Sequence, residues 1–190
     1  MSENDKIRKL LFSKNCVKRA GEVNLENSVK FQEAIIDIIK SFEENCVPRS
    51  ERNILFYFQG SPGGSVLVGL EDIDFVEQIK KMDITVYTLL AGSINSMEPV
   101  IYSKLAPKGH RYILPHAEIM IHQVLGQLAG QFADIKKQYK HMSDTNKTIM
   151  NMLVESTNMS LEEIEAACDR DTTYNAEEAV RLGLADHILY

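Results

Sequence analysis

Apolar side chains at Phe31, Ile35, Ile38, Ile39 and Phe42 recur at the spacing of one helical face, so residues from about 27 to 42 are read as an amphipathic helix. The following stretch, 43–52, is polar and contains Pro48, which makes it a loop. Ile54 to Phe58 is an unbroken apolar run rich in aromatics, the pattern of a buried strand. Ser61-Pro62-Gly63-Gly64-Ser65 then forms a sharp turn, and Leu67, Leu70, Ile73 and Val76 mark a second helix running to about Met82. A second strand spans Ile84 to Leu90. A helix starts near Ser96, with Pro99 in its first turn, where a missing backbone N–H costs little. Tyr112-Ile113-Leu114 and Ile119 to His122 are short strands around Pro115, and a long helix follows from about Gln131 to Glu155. Ser160 and Glu163 have the spacing of a capping box. Asn175 and Glu178 have it too, and Gly183 serves as a stop signal. Strands alternating with helices indicate an α/β fold with parallel pairing.

With no internal repeat, linker or low-complexity tract, the 190 residues are expected to form a single domain over 1–190, with 1–15 as a mobile segment. The apolar fraction of 44% and charged fraction of 25% fit a water-soluble globular chain. The formal net charge of -6 argues against a nucleic-acid partner, because phosphate binding requires a basic face. No apolar run approaches a membrane span, and the first residues lack a signal-peptide pattern. Cys16, Cys46 and Cys168 are few, far apart and unpatterned, which reads as free thiols in a reducing, cytoplasmic setting with no zinc spacing.

Four segments carry candidate chemistry. Ser96 lies in a short loop after the strand ending at Leu90 and opens a helix. A hydroxyl there is exposed, beside N–H groups that favour an anion. The plain alternative is a serine that only caps the helix, and Ser93 is a rival nucleophile. His122 stands at the polar end of an apolar strand, where a general base must be held at a rim that substrate can reach. Asp171, with Asp169 as the competing acid, could accept the second imidazole N–H and fix the tautomer. Gly63-Gly64 lets the backbone approach a ligand, and an amide there could stabilise a tetrahedral oxyanion by about 3 kcal/mol.

Taken together, the chain resembles the proteolytic subunit of the Clp protease family, self-compartmentalising serine peptidases. The matching strings are Ser61-Pro62-Gly63-Gly64-Ser65, Ser96-Met97, Leu114-Pro115, Met120-Ile121-His122-Gln123, Gly130-Gln131, Asp169-Arg170-Asp171, Ala176-Glu177-Glu178-Ala179 and Gly183-Leu184, all in the family's order. The resemblance is strong from about Ile54 to Leu189 and looser before that. It implies an α/β single-domain crotonase/Clp-protease-type fold, with the long helix as a handle between two stacked heptameric rings. It implies Ser96 as nucleophile, His122 as base, Asp171 as orienter, and the Gly64 and Met97 amides as oxyanion hole. It further implies ATP-dependent cleavage of unfolded polypeptides and short peptides, the ATP being used by a partner AAA+ unfoldase, since this chain shows no phosphate-binding loop of its own. Two other classes stay open on the sequence: a catalytically weak or inactive structural subunit of a mixed ring, and a crotonase-type acyl-thioester enzyme.

Several positions depart from the family's pattern. Glu98-Pro99 stands where glycine usually follows Ser-Met, Val124 replaces the proline usual after His-Gln, and the loop 43–52 is longer. A first-turn carboxylate suits the helix N-terminus, yet if it points into the site it opposes the oxyanion. Neutralising Glu98 is therefore expected to raise kcat.

Overall fold

The fold is described from a computed structural model, in which residues 2–190 are described. In chain order the elements are α1 (Glu3–Leu11), β1 (Cys16–Arg19), α2 (Leu25–Glu44), β2 (Asn53–Phe58), α3 (Val66–Lys80), β3 (Thr85–Leu90), β4 (Ser93–Asn95), α4 (Met97–Leu105), β5 (Arg111–Ile113), β6 (Glu118–Ile121), α5 (Phe132–Ser156), α6 (Leu161–Cys168), β7 (Thr172–Asn175), α7 (Ala176–Leu182) and β8 (His187–Ile188). Five strands form a parallel sheet in the order β1-β2-β3-β5-β8, and a second sheet of three has the order β4-β6-β7. This is the expected α/β class with parallel pairing.

The main sheet is apolar on both faces, as parallel sheets must be when helices cover them. Successive residues of a strand point to opposite sides. Ile54, Phe56 and Phe58 of β2 therefore join one core with Phe31, Ile35 and Phe42 of α2, Ile73 and Val76 of α3, and Ile101 of α4. Leu55 faces the other way and meets Tyr87, Leu89, Tyr112, Leu189 and Ile7 of α1. That contact changes the expectation for the N-terminal segment. Residues 3–11 are a helix, capped by the Ser2 side chain, and Ile7 is fully buried against the sheet. Met1 lies outside the described residues.

Both expected capping boxes are present, at Ser160/Glu163 and Asn175/Glu178, and Gly183 ends α7 in the left-handed conformation at φ 78°. The long helix α5 is two-natured. Its buried residues, Ile149, Met150, Leu153 and Ser156, all lie near the C-terminal end, while Phe132 and Tyr139 are exposed. The N-terminal half carries none of the buried residues and meets the segment before it through Gln138, which exchanges hydrogen bonds with the Ala129 backbone at 3.1 and 3.4 Å. Arg111 fastens the other end: it is fully buried, pairs with Asp186 at 2.5 Å and donates to the Ser156 carbonyl at 2.7 Å. Burial pushes the Asp186 carboxyl up, but Arg111 outweighs it and holds the carboxyl below its ordinary value.

Candidate active site

The small sheet brings together three residues that lie far apart in the chain. β6 is its central strand. β4 pairs with β6 in parallel, with Asn95 opposite Met120, and the Ser96 N–H donates to the Met120 carbonyl at 3.0 Å. β7 pairs with β6 antiparallel, with Ile121 opposite Thr172. In an antiparallel ladder the residue after one partner lies across from the residue before the other. His122 therefore faces Asp171 at the end of the ladder, with Ser96 on its other side. The distances agree: His122 Nε2 lies 2.7 Å from Ser96 Oγ, and His122 Nδ1 lies 3.2 Å from Asp171 Oδ1. The Ser93 hydroxyl donates to Asn95 Oδ1, and the Asp169 carboxylate pairs with Arg170, so neither rival joins this chain of contacts.

Ser96 occupies the N-cap position of α4, yet its side chain makes no capping bond. The hydroxyl is given to the imidazole instead, which weighs against the plain capping role. The residue also has φ 63° and ψ -114°, a backbone geometry that costs a non-glycine residue on the order of 1–3 kcal/mol. A strained strand–turn–helix of this kind lifts a nucleophile clear of the backbone around it.

The glycine turn fits against this elbow. Val23 N–H donates to the Gly63 carbonyl, and Ser65 N–H donates to the Val23 carbonyl, both at 2.8 Å. By strand alternation, the Gly64 N–H between them faces the opposite way, toward the cleft that Gly64 lines. Gly63 has φ 88°, and a Cβ there would lie 2.7 Å from the Asn95 carbonyl and 3.1 Å from Ser96 Oγ, so only glycine allows this approach. The second amide, that of Met97, is in the first turn of α4, whose N–H groups have no acceptor within the helix.

The cleft has a volume of about 260 Å³ and is lined by Ser96, His122 and Gly64 with the apolar side chains Val66, Leu125 and Ile149. An adjoining groove of about 320 Å³ continues it past Leu67, Leu128 and Met142. The departure at Val124 has a structural use: its N–H donates to Asn146 Oδ1 of α5 at 3.0 Å, a bond proline cannot make. Among the described residues no group of three or more His, Cys, Asp or Glu is placed to hold a metal ion.

Glu98 points away from the cleft, which corrects the expectation that its charge opposes an oxyanion there. It is 2% exposed and bonds Arg19 Nε at 2.5 Å, while Arg19 Nη1 bonds Asp72 at 2.8 Å. Ser28 and Gln32 donate to the other oxygen of Asp72 at 2.6 and 3.0 Å. One guanidinium thus lies between two buried carboxylates. Burial lowers the hold of Arg19 on its proton, but Glu98 and Asp72 outweigh that and raise it. Burial, with the Asp72 charge added, pushes the Glu98 carboxyl up against the opposing pull of Arg19 and Ser61. With its charge countered by Arg19, Glu98 is no open anion, and Glu98→Gln is not expected to raise kcat.

Sequence reasoning missed Arg19, Asp72 and Ser61 as parts of the site's support. A signal was present at Glu98, the only acid in the mostly apolar α4, because acids seldom enter a core unpaired. A serine, a histidine and an aspartate in hydrogen-bonded sequence, beside unpaired backbone amides, are equipped for acyl transfer. The comparison with known families agrees in kind: a family model described as Clp protease matches residues 4–190, and a match over that span shows that the chain belongs to the Clp protease family, whose proteolytic subunits are serine peptidases.

Proposed function

We propose that the chain is a working serine endopeptidase subunit that cleaves peptide bonds through Ser96, His122 and Asp171. The observation that carries the reading is the 2.7 Å contact between Ser96 Oγ and His122 Nε2, made by a hydroxyl that forgoes the helix cap beside it. Ser96 Oγ attacks the scissile carbonyl carbon as His122 Nε2 takes the hydroxyl proton. Asp171 accepts the Nδ1–H, which fixes the tautomer and steadies the imidazolium. The carbonyl oxygen, now an oxyanion, receives the Gly64 and Met97 N–H groups. Collapse breaks the C–N bond, and His122 delivers the proton to the leaving amine. Water, deprotonated by His122, then attacks the Ser96 ester and returns the free enzyme. The apolar lining of the cleft suits an extended peptide carrying aliphatic side chains.

The same reading extends to assembly. The exposed N-terminal half of α5, with Phe132 and Tyr139 uncovered, supports a handle that packs against a second copy in stacked rings. Unfolded chains would reach the enclosed sites through a partner AAA+ unfoldase that uses the ATP, in the cytoplasm, and the subunit itself would need no cofactor. No helix among the described residues is long and apolar enough to cross a membrane.

A fluorophosphonate probe tests the chemistry directly. The expected result is one label per chain on Ser96, none on Ser96→Ala, and hydrolysis of a short fluorogenic peptide that is lost with the label. A wild-type chain that neither labels nor hydrolyses would overturn the reading in favour of a structural subunit or a thioester enzyme.

A further inference from the structure

The two amides assigned to the oxyanion belong to different elements, and one buried bond ties those elements together. Ser61 Oγ donates to Glu98 Oε2 at 3.3 Å and accepts the Gly63 N–H at 3.1 Å. Gly63 directly precedes Gly64, and Glu98 directly follows Met97. The path Gly63–Ser61–Glu98 therefore runs beneath the site from one donor to the other. Its far end is anchored, because Arg19 Nε holds Glu98 and Arg19 Nη1 holds Asp72 on α3. Ser61 is further fixed by its backbone: its N–H donates to the Ser93 carbonyl at 2.9 Å, and its carbonyl accepts the Asn95 N–H and side-chain amide, both at 3.0 Å. All four side chains of the path and its anchor, Ser61, Glu98, Arg19 and Asp72, are buried.

Resting on the serine-peptidase reading above, we infer that Ser61 and Glu98, anchored by Arg19, are positioning residues that set the spacing of the Gly64 and Met97 N–H groups. They touch no substrate and act through the two amides. A preorganised pair of donors stabilises charge that develops only in the transition state, so small errors in spacing fall on turnover and leave ground-state binding alone. A carboxylate on α4 and a hydroxyl in the glycine turn, joined in the buried interior, add a side-chain strut to the backbone bonds that Ser61 makes with Ser93 and Asn95.

Ser61→Ala cuts the strut and leaves the Arg19 pairs in place. Its kcat on a short peptide should fall about tenfold, less than the 10²–10³-fold seen when a donor is deleted outright, with KM unchanged. Affinity for a peptide aldehyde, whose tetrahedral adduct uses the same donors, should fall in the same proportion, while affinity for the product peptide stays constant. Ser61→Thr keeps the hydroxyl and should recover both values. Thermal unfolding of each variant gives its folded fraction. Equal kcat and aldehyde affinity in wild type and Ser61→Ala would overturn the strut alone. So would losses in Ala and Thr variants that merely track the folded fraction. A wild-type chain that fluorophosphonate never labels would overturn the peptidase reading, and this inference with it.

Discussion

The two ends of the Ser96–His122–Asp171 chain are built on opposite terms. The Ser96 end is sunk into the core: its contact to His122 is 2.7 Å, its helix is buried almost throughout, and Glu98 beneath it is 2% exposed. The Asp171 end is at the rim. The contact to His122 is 3.2 Å, and the Asp171 side chain is 74% exposed against 12% for the histidine. Ser96 is thus placed by packing within the chain. Asp171 is placed by a short ladder and an exposed turn. On the proposed mechanism, disturbance at the rim falls first on the orientation of the imidazole, while Ser96 and the amides beside it hold their places.

The largest expected effect removes the comparison altogether. Ser96→Ala or His122→Ala should each lower kcat for peptide hydrolysis on the order of 10⁶-fold, and the double variant should lose no more, because the groups act as one unit. Stopped assays at high enzyme concentration would show it. Ser96→Ala turning over at the wild-type rate would mean that the nucleophile lies elsewhere.

Asp171→Asn probes the looser end and should cost less, at most on the order of 10⁴-fold, since it disturbs the tautomer but leaves the nucleophile and its amides in place. The fluorophosphonate label should still form, more slowly. If Asp171→Asn matches Ser96→Ala in severity, the rim end is as tightly built as the core end and the contrast fails.

The same contrast explains what the sequence reveals and what it hides. Periodicity over many residues exposes α2, α3, β2 and β3, because burying one face of a helix or both faces of a parallel strand leaves a long apolar record. The capping boxes are readable because each is a local bond between residues three apart. The elements that assemble the site leave almost no record. β4 is Ser-Ile-Asn and β7 is Thr-Thr-Tyr-Asn, short and polar strands with too few positions to show a period. Ser96, His122 and Asp171 were therefore legible as residues, through the strings around them, while the ladder that joins them was not. The direction of Glu98 was hidden for another reason. α4 is buried on nearly every side, so it has no polar face to say where a carboxylate belongs, and its partner Arg19 sits in a strand of only four residues beside Lys18.

Arg170→Ala sharpens the comparison at the rim. The Arg170 side chain is 83% exposed and, among the described residues, bonds only Asp169, contacts worth little to stability in solvent. If the subunits stack as proposed, removing it should leave the unfolding temperature unchanged yet convert double rings to single rings, with several-fold lower peptide turnover. Light scattering and turnover would be measured on the same sample. Double rings that persist with full activity would separate Asp171 from assembly.

The smallest effect concerns the two buried arginine centres, one beneath the nucleophile and one remote from it, and their opposite response to pH. Glu98 has its carboxyl raised above the ordinary 4.5, chiefly by burial. The native state then holds that proton more readily than the unfolded chain does. Its contribution to stability is fully present below 4.5 and is lost as pH rises through the raised native value. Asp186, beside Arg111, is lowered from 3.8, where Arg111 and the Gly109 and Arg111 N–H groups outweigh burial. Its contribution is fully present above 3.8 and is lost as pH falls through the lowered native value. Urea midpoints for the wild type, Glu98→Gln and Asp186→Asn, taken from pH 3 upward, should show this as two opposite trends. Asp186→Asn should be most destabilised near neutrality and approach the wild type in acid. Glu98→Gln should be most destabilised in acid and gain on the wild type as pH rises. If the deficit of Glu98→Gln is flat across pH, burial does not govern that carboxyl, and Arg19 neutralises it as completely as Arg111 does Asp186.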